Sequence, residues 1–199
     1  MIDIYKTILI PAEAELKVSK SKFISQVNPV TNSEEVNQTL ISARKKYYDA
    51  AHHPYAYRLG LDENSFRYSD DGEPSGSAGK PIMEVIDKFE LTNVLIVVTR
   101  YFGGVKLGVG GLRRAIFEAS EIAVQNAEII TKQITENFNI EFDYKYIGAV
   151  MNFLDKEQII ILSNTSDDKV KLECSVIVSK IEKFKDELGK LTNASVIIL

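Results

Sequence analysis

At 199 residues, 45% of them apolar and 26% charged, the chain has the composition of a folded globular protein with room for one domain and a smaller second one. Its longest aliphatic runs, VLIVV at 94–98 and IIIL at 159–162, are too short to cross a bilayer, and the start MIDIYKTILIPAEAEL lacks the basic flank and apolar stretch of a secretory signal; a cytoplasmic protein with no membrane contact is expected. A net charge of −4 excludes coating of nucleic acid by bulk charge, yet all six arginines (Arg44, Arg58, Arg67, Arg100, Arg113 and Arg114) precede residue 115, which makes that part the better candidate for polyanion contact.

In chain order, IYKTILI and AELKVSKSKFISQVNPV carry the alternation and β-branched content of strands in an antiparallel pair. TNSEEVNQTLISARKKYY predicts a helix, with Thr31 and Glu34 at capping-box spacing and an apolar stripe of Val36, Leu40, Ala43 and Tyr47. PYAYRLGL at 54–61 and FRYS at 66–69 alternate again as strands around the turn DENS. SDDGEPSGSAGKP is a loop by its turn residues, and Pro81 suits the first turn of a helix that continues through IMEVIDKF. NVLIVVTRY reads as a buried strand, and apolar residues at 112, 115, 116, 119, 122, 123 and 127 line one face of a helix from Leu112 to Ile129.

Residues 137–199 form a self-contained series of strand, helix, two strands, helix and strand, the β-α-β-β-α-β order of a ferredoxin-like domain. The polar stretch TKQITEN at 131–137 marks the boundary, giving domains at 1–132 and 137–199. The sole cysteine, Cys174, lies in the alternating KLECSVIV and reads as a buried structural thiol.

Nine of the eleven glycines lie between Gly60 and Gly111, so special backbone positions and function should concentrate there. In TRYFGGVKLGVGGLRRA, five glycines between a strand and a helix leave backbone amides uncovered beside a positive helix start, which favours anions near Gly110. Arg113 and Arg114, read as lying in the first helical turn, oppose the helix dipole unless an anion sits between them and the loop. That anion is either a ligand's phosphate or an acid of SDDGE. A Walker loop and a dinucleotide fingerprint are both excluded, since Lys106 is followed by Leu107 and Arg113 stands where a small residue is required.

In AHHPYAYRLG, adjacent His52 and His53 point to opposite faces of a strand and cannot serve one metal. One of them works as a general base or stacks on a base beside Tyr55, Tyr57 and Arg58, or is simply a buried, hydrogen-bonded histidine. In SDDGEPSGSAGKP, Asp70, Asp71, Glu73, Ser75 and Ser77 form a polar loop that either binds Mg²⁺ or braces itself through local hydrogen bonds. The strand-turn-helix elbow of a serine hydrolase is absent.

Taken in order, AHHPYAYRLG, SDDGEPSGSAGKPI and TRYFGGVKLGVGGLRRA resemble the signature of the IMPACT family, in its bacterial YigZ-like branch. The resemblance implies an α+β protein. Its N-terminal part would be a left-handed β-α-β domain like those of certain ribosomal proteins and domain IV of elongation factor G, followed by a ferredoxin-like domain resembling domain V of that factor. Carried over residue by residue, the motif surface comprises His52, His53, Tyr57, Arg58, Asp70, Asp71, Glu73, Lys80, Arg100, Tyr101, Lys106, Arg113 and Arg114. Eukaryotic members regulate translation and carry an RWD domain that this sequence does not show.

Two functions follow. The first is a binding protein that contacts RNA or the ribosome, or a protein partner in translation, and regulates translation without a cofactor. Arg58, Arg100, Lys106, Arg113 and Arg114 would meet phosphates, while Tyr57, Tyr101 and a histidine stack on unpaired bases. The second is an enzyme acting on a phosphate-bearing small molecule or RNA, a hydrolase or phosphotransferase with His52 or His53 as acid or base and the SDDGE carboxylates on Mg²⁺.

Overall fold

An aliphatic run such as Val94–Val98 needs cover on both faces, and the computed structural model, which describes residues 3–62 and 65–199, provides it. The chain divides by its contacts into two units, Tyr5–Lys132 and Gln133–Leu199, the latter joined by Asp3 and Ile4. The first contains, in order, β1 (Ile4–Ile8), β2 (Ala12–Val18), β3 (Ser21–Pro29), α1 (Ser33–Lys46), β4 (Tyr55–Arg58), β5 (Phe66–Ser69), α2 (Gly79–Lys88), β6 (Val94–Tyr101), α3 (Gly108–Gln125) and β7 (Ile129–Gln133). β1 and β7 pair in a two-stranded sheet, and the other five strands form a sheet in the order β2-β3-β6-β4-β5.

Every neighbouring pair in that larger sheet is antiparallel. β3 and β4 both flank β6, so they run parallel to each other and α1 crosses between them. Along β6, Val94, Ile96 and Val98 pack with Ile82, Ile86, Leu112 and Ile116 of α2 and α3. Leu95 and Val97 turn the other way, onto Val36 and Ala43 of α1, with Leu40 against them. Two helices thus cover one face of the sheet and one covers the other.

The cap of α1 lies one residue beyond the expected Thr31–Glu34 spacing. Asn32 has extended backbone and its side chain accepts from the Glu35 N–H at 2.9 Å, while the Glu35 carboxylate accepts from the Thr31 N–H at 2.7 Å. Tyr55–Arg58 and Phe66–Ser69 pair as expected, and Glu63 and Asn64 of the turn between them lie outside the described residues.

α3 begins at Gly108, four residues before the expected start, and ends at Gln125 because the chain turns there into β7. Gly108 has φ 68°, a left-handed backbone that admits glycine at little cost. Arg113 and Arg114 therefore stand in the second turn, where the dipole penalty expected for a first-turn cation has largely faded. Gly103 has a different task. A Cβ there would lie 2.0 Å from the Lys20 carbonyl carbon, so its lack of a side chain lets the end of β6 press on the β2–β3 turn.

The second unit contains β8 (Thr135–Phe142), α4 (Ile147–Lys156), β9 (Ile160–Asn164), β10 (Val170–Ile177), α5 (Ile181–Leu191) and β11 (Ile197–Ile198). Its sheet runs β11-β8-β10-β9, and Ile140, Phe142, Leu172, Cys174 and Val176 pack on Val150 and Leu154 of α4 and Phe184 and Leu188 of α5. That is the ferredoxin-like order. The α+β class expected from the sequence is thus present, with sheets and helices in both units. TKQITEN is not an irregular connection. It runs through the end of β7 and the start of β8, and the Ile134 N–H between them donates to the Asp3 carbonyl at 2.7 Å. Among the described residues, no helix is long and apolar enough to cross a membrane.

Candidate functional site

The motif stretches converge where β6 ends, and the loop between β5 and α2 is what holds them. Asp70 accepts from the N–H groups of Gly76, Ala78 and Gly79 at 2.8, 2.9 and 2.8 Å. Burial alone would raise its pKa, but these three donors outweigh that and hold it below the usual range. Ala78 offers no side-chain cap to α2, so Asp70 caps that helix from eight residues away. Asp71 accepts from the His53 N–H at 2.7 Å and from Arg44 at 2.6 Å. Here too burial works against ionisation and the His53 amide and Arg44 prevail, leaving the carboxyl below its ordinary value.

Glu73 turns inward. Both its oxygens accept from Arg100 Nη1, at 2.8 and 2.7 Å, and the two residues are 8% and 9% exposed. Each acid of SDDGE is thus engaged by the chain itself. Among the described residues, no group of three or more His, Cys, Asp or Glu is gathered to hold a metal ion. Ser77 is buried with its hydroxyl on the Pro74 carbonyl at 2.5 Å, and Ser75 is exposed.

Above the Glu73–Arg100 pair opens a cavity of about 530 Å³. Its wall is mostly apolar, from Pro74, Phe102, Leu107, Val109 and Leu112, with His52 and Lys106 as the other polar contributors. His52 is aligned by a bridge to Arg100, and its Nδ1 lies 2.7 Å from the Asp71 carbonyl. A carbonyl only accepts, so Nδ1 carries the proton and Nε2 is left as an acceptor in the neutral ring. The guanidinium of Arg100 lies 5.7 Å from the Phe23 ring centroid and 5.5 Å from that of Phe102, and its Nε is buried with no acceptor among the described residues.

Residues 19–124 match the Impact N-terminal domain, more than half of the chain. The chain belongs to the IMPACT family. It is 31% identical to the IMPACT family member YvyE of Bacillus subtilis over 193 residues, covering 97% of this chain and 89% of that protein. The Protein IMPACT homolog of Dictyostelium discoideum is 39% identical over 93 residues, which is 45% of this chain and 26% of that one. A solved structure titled as that of a hypothetical protein superposes with a TM-score of 0.73 at 25% identity, covering 100% of this chain and 98% of that chain.

The IMPACT motif residues do not all reach the cavity. His52, Glu73, Arg100 and Lys106 line it. His53, adjacent to His52, is buried elsewhere with its Nε2 unpartnered, and burial together with the charge of Arg44 holds its pKa below the usual value. Tyr101 follows Arg100 on the strand and so takes the opposite face, donating to Asp49 at 2.7 Å; that bond pushes its pKa up to about 12. Tyr57 packs with the α1 side of the sheet, stacked with Tyr55 at 6.4 Å. Arg58 pairs with Asp87 of α2 at 2.5 Å, opposite Val94 on β6, six residues or about 20 Å along the strand from Arg100.

Arg113 is held by both oxygens of Glu84 on α2 and reaches the Gly76 carbonyl at 3.4 Å. Its anion is therefore internal, though it comes from α2 and not from SDDGE. Arg114, Lys106 and Lys80 are exposed, and none has an acid partner among the described residues. Gly110 lies in the first turn of α3, beside the Arg114 side chain.

Reading the motifs alone missed Glu84, Arg44 and the apolar wall. Glu84 sits on an ordinary helical segment with nothing to mark it. Phe102 and Val109 carried a usable signal, because apolar residues scattered among glycines in a polar connection have no core to enter; they are 55% and 57% exposed.

Proposed function

We propose that the chain is a cytoplasmic binding protein that contacts RNA or the ribosome and regulates translation, with the mouth of the cavity as its contact face. The observation that carries this reading is a group of cations: Arg44, Arg58, Arg100 and Arg113 are neutralised by acids of the chain, whereas Lys80 at the start of α2, Lys106 just before α3 and Arg114 in its second turn stand exposed with no acid partner among the described residues. Cations without a structural partner are the ones available to phosphates. The role of the eukaryotic members in translation, implied by the motif resemblance, points the same way.

Ribosome cosedimentation and RNA binding across a salt series test it. The double variant Lys106→Ala/Arg114→Ala should weaken binding and lower the slope of log affinity against log salt by about 1.4, the share of two single-strand phosphate contacts. Arg67→Ala, a charge of the same sign on β5, serves as the comparison. Undiminished binding by the double variant would remove the assignment, and ribosome binding that survives nuclease treatment in full would transfer it to a protein partner.

A further inference from the structure

We infer that the cavity at the end of β6 is a pocket for one unpaired nucleotide of an RNA strand, its base against Phe102 and Val109 and its phosphate at the start of α3 beside Lys106. This rests on the RNA reading above and gives it a ligand and a pose. Three independent features of the cavity specify the chemistry.

The first is the helix start. α3 is 18 residues long, Leu107 supplies no side-chain cap, and its first turn contains no acid. The N–H groups of Gly108, Val109 and Gly110 precede the first bonded turn and have no acceptor among the described residues. These donors, the positive end of the helix and the unpaired Lys106 make one anion site at the cavity mouth. An acid of the chain fills that place at α2, where Asp70 accepts from Ala78 and Gly79. Among the described residues, no acid fills it at α3.

The second is the aromatic wall. Phe102 is 55% exposed, at the rim of a cavity, with the guanidinium of Arg100 5.5 Å from its centroid on a side chain that Glu73 holds in place. A base stacking on Phe102 gains contact with a ring that is already braced. The volume of about 530 Å³ lies in the range of ligand pockets and exceeds what a single side chain would fill.

The third is the polar floor. Arg100 lines the cavity, nine-tenths buried, and its guanidinium has no acceptor besides Glu73 among the described residues. Glu73 cancels its charge, so the floor suits a neutral acceptor, such as a base carbonyl or ring nitrogen, better than a second anion. His52, with Nδ1 committed to the Asp71 carbonyl, adds an acceptor for an exocyclic amine. A ligand with a flat neutral body carrying donors and acceptors, tethered to one anion, satisfies all three; a duplex, whose bases are stacked and paired, does not.

Fluorescence anisotropy with the full chain and a labelled 12-nucleotide mixed-sequence RNA, free or annealed to its complement, tests the pocket. The single strand should bind tighter than the duplex, and Phe102→Ala should weaken it about tenfold, the ordinary worth of one base–aromatic stack. Phe102 is exposed, so the variant should keep the wild-type thermal midpoint. Val109→Trp, which fills the wall at another exposed position, should weaken the single strand to a similar degree, and Arg67→Ala by less than twofold. Equal binding of single strand and duplex, or an unchanged affinity for both Phe102→Ala and Val109→Trp, would overturn the pocket while leaving RNA contact standing. Failure of the unaltered chain to bind either RNA would overturn both.

Discussion

Strand β6 is buried without interruption from Val94 to Arg100, with α1 on one face and α2 and α3 on the other, whereas β10 alternates, Val170, Leu172, Cys174 and Val176 facing its helices and Lys171 and Glu173 turned away. A charge on a strand with an open face is solvated by water; a charge on a strand covered twice has to be satisfied by the chain. The charge on β6 follows that rule: Arg100 is paired with Glu73, with side chains 10% and 3% exposed. The other pairs that join separate elements of the first unit, Arg44–Asp71, Arg58–Asp87 and Arg113–Glu84, are part-exposed, as is Lys169–Glu141 in the second. Motif residues of the first unit are therefore, to a large extent, residues that hold the central strand and its loops in place.

The sharpest way to break this contrast is to remove one half of the buried pair. Glu73→Ala leaves Arg100 uncompensated and should destabilise the first unit by about 3–5 kcal/mol, while Glu73→Leu/Arg100→Met, which removes both charges, should recover most of that. Urea unfolding followed by tyrosine fluorescence measures it. Cys174, buried in the second unit with its thiol pushed up to about 11, reports that unit separately through its reactivity toward a thiol reagent. If the double variant is no more stable than Glu73→Ala, the pair is not what the strand end depends on.

A second test compares neighbours along each strand. Leu95→Ala and Ile96→Ala, on opposite faces of β6, should each cost about 2–5 kcal/mol, because both sites are fully buried. On β10, Leu172→Ala should cost a similar amount and Lys171→Ala no more than about 0.5 kcal/mol. Equal costs at Leu172 and Lys171 would mean that the second face of β10 is also closed.

The same contrast explains what could be read from the sequence. Alternation in KLECSVIV and the 3.6-residue spacing of α4 and α5 report burial on one side directly, so the second unit was legible nearly whole. The run NVLIVVTRY announced a buried strand as well. The partners of the charges were not legible, because Asp70 reaches forward to Gly79 and Arg113 back to Glu84 through the tertiary fold, and spacing along the chain carries no trace of either bond. The start of α3 was misplaced for a local reason: Gly108, Gly110 and Gly111 weigh against helix by propensity, and the packing of Leu112 and Ile116 overrides it. The α1 cap was displaced by one residue because Thr31 and Asn32 are both good capping residues; Asn32→Ala should lower stability by about 1 kcal/mol, and Glu34→Ala should leave it within about 0.5 kcal/mol. Thermal melts of the two variants decide between the registers.

The smallest effect expected is on pH dependence, and it separates the two units again, since both histidines of the chain lie in the first. His53 is buried, and burial with the charge of Arg44 holds its pKa below the ordinary 6.5. As pH falls through 6.5 the unfolded chain takes up a proton that the folded chain refuses, so stability declines from that point down to the lower folded value. Asp70 and Asp71 act at more acid pH. Their folded pKa values lie below the ordinary 3.8, so the stability they confer is whole above that value and is lost as pH falls through the folded ones. Melting curves from pH 7.5 to 3 should therefore show two steps in the first unit. His53→Gln should remove the near-neutral step and Asp70→Asn should diminish the acid one, while Cys174 reactivity, reporting the second unit, should show no near-neutral step in either variant. A near-neutral step that persists undiminished in His53→Gln would mean that the burial of His53 is not its cause.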